Sequence, residues 1–407
     1  MGEQDSRTLN EWRSGWSVVA VSTMGMATGA GLYHYVSSLF IAPLGEEFGW
    51  SRGDISAASG FGLIGALSAP FIGRLADRYG ARRLAMACIV AMAAGFIALS
   101  AMTGVYWQFL AISALLGAAA PGCTTLIYGR AVNSWFDHGK GLALGVTAAG
   151  MSVGAVLFSP LVESMIRQFG SSGGYLTLAA LMVAIALPLV ATGLRERPPS
   201  DQSGASPVAD DASPKPHWFR LMRNPTFWIL AVAIFAANAP AAGVLTQFAP
   251  LLQDRGIFSP TGYLTLFAIS VFAGRIGIGW LFDRFDARRV AAVVTVLGIL
   301  GCLMMTSVTP VLLAPIAIVL IGLLQGAETD VLAYFVARHF GAGSFGTIYG
   351  LLLAISMAGT VVGIIGFGQL FDVFGSYDVA LIGAGLLLMP AVFAYLIIPH
   401  RATVREG

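Results

Sequence analysis

Twelve apolar stretches constrain this chain more than any other feature. Each is close to the roughly 20 residues that an α-helix needs to cross a bilayer. They run over 17–43, 53–73, 84–103, 107–134, 141–166, 174–194, 226–252, 261–282, 290–308, 311–337, 346–369 and 379–398, here spans 1 to 12. In hydrocarbon every backbone polar group needs an internal partner, which only helices and closed barrels supply. The expected fold class is therefore an all-α integral membrane protein with twelve transmembrane helices. Charge content agrees. Only 11% of the 407 residues are Asp, Glu, Lys or Arg, against roughly 25% in a soluble chain.

One stretch breaks the pattern. Residues 195–225 are rich in Pro, Ser, Asp and Ala and form no core, so they read as a linker. They divide the chain into an N-terminal six-helix bundle (1–194), the linker, and a C-terminal six-helix bundle (226–407). Nineteen of the 23 Lys and Arg fall in the tails, the linker or loops of one side; Arg52, Arg167 and Arg255 lie on the other, and Arg275 lies inside a span. By the positive-inside rule, both termini and the linker are cytoplasmic. The expected location is a plasma membrane, such as a bacterial inner membrane. The polar N-terminus leads straight into span 1 without a cleavable signal. Cys88, Cys123 and Cys302 sit in apolar runs without CxxC spacing, so no disulfide framework or metal site is expected.

The two halves repeat. GRLADRYGARR (73–83) after span 2 returns as GWLFDRFDARR (279–289) after span 8, and Gly150-Gly154 of span 5 return as Gly359-Gly363 of span 11. Duplicated six-helix units are a transporter plan, with the substrate held near the midplane between the repeats. In each loop, an Asp can pair with a nearby Arg or cap a helix N-terminus. Asp77, Arg78, Arg82, Asp283 and Arg284 are thus candidate gating residues. Asp286 replaces Gly80 in the second copy, which predicts a less tight turn there.

The first loop resembles the signature of the major facilitator superfamily between its second and third helices. SWFDHGKGLALGVTAAGMSVGAVLFSPL (134–161) and the Gly15-Trp16 lead-in to span 1 resemble the monocarboxylate transporters and their bacterial oxalate/formate-type relatives. The resemblance implies a secondary active transporter of small organic anions. It implies proton-coupled monocarboxylate carriage by alternating access. Alternatives are anion exchange of the oxalate/formate type, or proton-driven export of amphipathic compounds. The chain is not expected to be an enzyme. Nothing in it resembles a nucleotide-binding Walker A loop, and no cofactor is expected. The expected partners are a small organic anion, protons or a counter-anion, and the bilayer, with no nucleic acid and a monomer as the working unit.

Arg275 is the leading substrate-binding residue. A lone arginine in an apolar helix needs an interior partner or a ligand, and a guanidinium grips a carboxylate through two parallel hydrogen bonds. The resemblance places it like the family arginine of the eighth helix that is associated with the substrate carboxylate. The acid that often precedes that arginine by one turn is Val271 here, so any proton step lies elsewhere. Span 10 offers Glu328 and Asp330 at a depth similar to Arg275. Two residues apart, they point about 200° away from each other. Glu328 is favoured as proton carrier and as a carboxylate held by Arg275. Aligning Gly15-Trp16 puts His34, a titratable side chain, where these transporters often carry a lysine. The further candidates are Tyr33 beside it, Tyr128 in span 4, and Asn238 and Gln247 in span 7. Pro121, Pro160, Pro240 and Pro250 are expected to bend their helices.

Overall fold

The computed structural model describes residues 3–59, 62–136, 139–197, 224–257, 259–306, 311–340 and 345–399, and among them the predicted spans are mostly helical. Eight helices among them are long and apolar enough to cross a membrane. Gly141–Gly193, at 53 residues, accounts for spans 5 and 6 together. At about 1.5 Å of rise per residue it exceeds twice the roughly 30 Å hydrocarbon core of a bilayer. It breaks at Gly170, which takes φ 68° and ψ −163°, a conformation open to glycine. The carboxylate of Glu47 accepts from Ser171 N at 2.7 Å and Ser171 Oγ at 2.6 Å, capping the start of span 6.

Several spans are segmented, for local reasons. Span 1 divides at Gly29 into Glu3–Thr28 and Ala30–Val36. Span 4 divides into Tyr106–Ala119 and Thr125–Asn133 around a 3-10 turn that contains Pro121. Span 7 divides at Gln247, between Pro225–Thr246 and Phe248–Asp254. Pro250 has no N–H to give Thr246, so the ladder cannot continue there. Pro160 and Pro240, by contrast, lie inside continuous helices.

Two compact units emerge: Met1–Ala205 with Thr246–Ala268, and Ser206–Leu245 with Ile269–Gly407. Within the first, segment 246–268 is held by polar and aromatic contacts. Arg52 meets both carboxylate oxygens of Asp254 at 3.0 and 3.1 Å. Buried Gln247 donates to Ser56 Oγ. Phe267 packs against Phe248 and Tyr35, with ring centroids 5.5 and 6.2 Å away.

The sequence repeat is a repeat of helix crossings. In the first unit a Cβ at Gly150 or Gly154 would fall on the carbonyl oxygen of Thr23 or Ala27 in span 1. In the second unit a Cβ at Gly359 or Gly363 would fall on that of Phe235 or Ala239 in span 7. Backbones touch at both crossings because only hydrogen separates them. The other motif segments also meet. A Cβ at Gly15 would lie 2.6 Å from the Phe136 ring, Trp12 packs edge-on to Phe136 at 5.1 Å, and Glu11 accepts from Gly139 N at 3.0 Å.

Candidate functional site

In the second unit the site is built on the crossing of spans 8 and 10. Gly274 faces the backbone of Leu323, and Gly326 faces the Val271 carbonyl and Arg275 N, the latter 3.0 Å from where a Cβ would stand. This contact brings the backbone of span 10 against Arg275 itself. The Arg275 side chain is half-buried. Its Nε is enclosed and has no hydrogen-bond partner among the described residues.

Glu328 is buried, 7% exposed. Its Oε2 accepts from Gln325 Nε2 at 3.3 Å, and its Oε1 has no partner among the described residues. No ion pair joins it to Arg275. Register supplies the reason: Gly326 faces span 8, and Glu328 stands two residues on, about 200° round the helix. Gln325 adds a third enclosed atom without a described partner, Oε1. The side chains of Asp330 and Asp283 lie outside the described residues. Asn238 is half-buried and donates to Ile234 O in its own helix at 3.0 Å.

The remaining candidates belong to the first unit. His34 is exposed, its ring edge-on to Tyr35 at 6.1 Å; Tyr35 OH lies 3.4 Å from Ser152 Oγ of span 5. Tyr33, half-buried, packs edge-on against Phe96 at 5.1 Å and Phe40 at 6.4 Å, within an aromatic cluster that Tyr175 completes. Tyr128 is fully buried, with its ring against Gly25 of span 1. The missing side chain at Gly25 admits the ring between spans 4 and 1, which holds Tyr128 in packing.

The first Asp/Arg loop, 73–83, closes a network that the loop residues alone did not reveal. Arg130 of span 4 ion-pairs with Asp77, and its Nε donates to Glu196 Oε1 at 2.7 Å. Glu196 Oε2 accepts from Ala81 N at 2.9 Å, at the start of the span 3 helix. Gly80 precedes it with φ 83°. One acid thus caps span 3 and ties it to span 4. Arg82 donates to the Ala191 carbonyl of span 6, while Arg78 lies over the Tyr79 ring at 5.3 Å. In the second copy Asp286 takes over the capping. With φ −63°, it accepts from Arg288 N at 3.0 Å and pairs with the Arg288 side chain at 2.7 Å. Arg284 lies over the Trp280 ring at 4.2 Å. Replacing Glu196 with alanine is expected to lower unfolding stability by about 1 kcal/mol, the scale of one lost cap. The exposed Asp77 contact should contribute little. Thermal unfolding in detergent checks this.

The profile of the Major Facilitator Superfamily matches residues 16–364. The chain belongs to that superfamily. Relatives of this major facilitator include an uncharacterized MFS-type transporter, YcxA of Bacillus subtilis, 25% identical and covering 90% of each chain. Monocarboxylate transporter 13 of Rattus norvegicus is 25% identical, over 95% of this chain and 89% of the relative. The oxalate:formate antiporter of Oxalobacter formigenes is 26% identical over 73% and 69%. Among solved structures, the nucleoside transporter NupG superposes with a TM-score of 0.74 at 15% identity, covering 94% of this chain and 98% of its own. An inward-facing bacterial homologue of the lysosomal transporter Spinster superposes with a TM-score of 0.70 at 15% identity, covering 98% and 97%. At such identities the structures establish the fold alone. This major facilitator is a multi-pass membrane transporter of small molecules, not an enzyme, with the major facilitator fold.

Sequence reasoning missed Arg130, Glu196 and Gln325. Arg130 had a visible signal, a lone arginine within the last turns of apolar span 4. Gln325 lies one turn before Glu328 and shares its face. Glu196 lies just past span 6, at the start of the predicted linker, and gave no signal.

Proposed function

We propose that this major facilitator carries small organic anions, monocarboxylates among them, by proton-coupled alternating access. The observation that carries the reading is Arg275: a guanidinium inside span 8, half-buried, with an enclosed and unpartnered Nε. A fixed cation of this kind is costly in an apolar helix unless a ligand meets it, and a carboxylate matches its fork. Support also comes from the relatives named as monocarboxylate transporters and an oxalate:formate antiporter. In this reading His34 assists from the first half. Glu328, buried, with one oxygen unpartnered among the described residues and turned away from the arginine, takes the proton. The Asp77 and Asp283 loops gate a side that the arginine count assigns to the cytoplasm of a bacterial inner membrane.

A second reading is anion exchange. It is favoured by the relative named as an oxalate:formate antiporter; an arginine that trades one anion for another would need no proton carrier. Proteoliposomes separate the two. Under symport, an inward proton gradient drives lactate accumulation, and Glu328→Gln abolishes that response while leaving exchange intact. If the gradient has no effect and only internal anion stimulates uptake, exchange stands and symport fails.

A further inference from the structure

The second unit has a cavity of about 430 Å³ that the substrate reading does not use. It lies between spans 8 and 9, against Leu323 of span 10. Its walls are apolar: Ala273, Gly277 and Leu281 face Val290, Val293 and Leu297. Gly277 has nothing within 4 Å of where its Cβ would stand, so the groove owes part of its width to that glycine. Val293 is 57% exposed, which makes this an open groove on membrane-spanning helices.

Charge is confined to one end, where Arg289 and Asp286 close the lining. Asp286 is already neutralised by Arg288 at 2.7 Å. Arg289 is exposed and has no ion pair among the described residues, which leaves a net cation at the mouth. Trp280, half exposed, and Arg284 above its ring lie on the same end of span 8. Tryptophan and arginine together mark the headgroup level of a bilayer.

We infer that this groove binds an anionic phospholipid, with an acyl chain along Gly277, Val293 and Leu297 and the phosphate on Arg289. An apolar channel below a headgroup-level cation has the two-part chemistry of such a lipid. Basic pockets between transmembrane helices hold anionic headgroups for this reason. A free anion would meet Arg289 but gain nothing from the channel. A zwitterionic lipid would fill the channel but bring no net charge to the arginine.

The test is native mass spectrometry of the purified full chain titrated with equal palmitoyl-oleoyl phosphatidylglycerol and phosphatidylcholine. The wild type is expected to retain one phosphatidylglycerol about fivefold more than phosphatidylcholine, the scale of one arginine near the surface. Arg289→Gln should remove that preference while total lipid retention persists. Gly277→Leu should lower retention of both lipids, and Ala273→Leu serves if that variant does not fold. Equal retention of the two lipids by the wild type overturns the inference. So does a preference that survives Arg289→Gln, or retention unchanged by filling the groove.

Discussion

Arg275→Ala is expected to weaken carboxylate binding about 100-fold or more. The scale is that of the charge-assisted hydrogen bonds a guanidinium makes to a carboxylate, together about 3 kcal/mol. Arg275→Lys should fall between alanine and wild type, since it keeps the charge and loses the planar fork. The same substitution separates a binding role from a structural one. An arginine held in a structural ion pair would leave a buried acid unpaired when removed, and the fold would weaken by several kcal/mol. Arg275 has no ion pair among the described residues, and its Nε is unpartnered. Unfolding of Arg275→Ala should therefore match wild type, while uptake of radiolabelled lactate collapses. Lost uptake with lost stability would point to scaffolding instead.

The second large effect is on assembly. Gly154→Val and Gly363→Val should each abolish the folded protein, because the added atoms fall on the carbonyls of Ala27 and Ala239. A backbone cannot swing aside as a side chain can. The overpacking cost is about 3 kcal/mol or more. The control lies on the same helix: Gly366 has nothing within 4 Å of its would-be Cβ. Gly366→Ala should be neutral or stabilising by up to about 1 kcal/mol, from helix propensity. Size-exclusion profiles and thermal unfolding in detergent read both. Equal behaviour of Gly363→Val and Gly366→Ala would mean that the crossing of spans 11 and 7 is not a backbone contact.

The fold was legible because it rests on long-period signals. Apolar runs set the spans, and Gly150-Gly154 and Gly359-Gly363 marked the duplication; their crossings with spans 1 and 7 came from the structure. The proline at 250 marked the break in span 7. Side-chain partners were harder to read, since they depend on helix rotation, which apolar composition does not encode. Glu328 and Arg275 have similar depth, and depth alone suggested a pair. The crossing at Gly326 fixes the rotation and turns Glu328 away from Arg275, and it bonds to Gln325 of its own helix. Tyr128 read as a cavity residue because its hydroxyl is polar; the notch at Gly25, which buries its ring, has no signature in one sequence. Asp77 was expected to find an arginine, but its partner, Arg130, lies 53 positions away on another helix.

The central claim is that a carboxylate is what Arg275 recognises. Its most direct test is a ligand-induced thermal shift of the purified protein with matched pairs: lactate against lactamide, and pyruvate against its methyl ester. Stabilisation by the acids alone, lost in Arg275→Ala, is the expected result. Equal stabilisation by acids and their neutral counterparts, or stabilisation only by lipophilic cations, would contradict it.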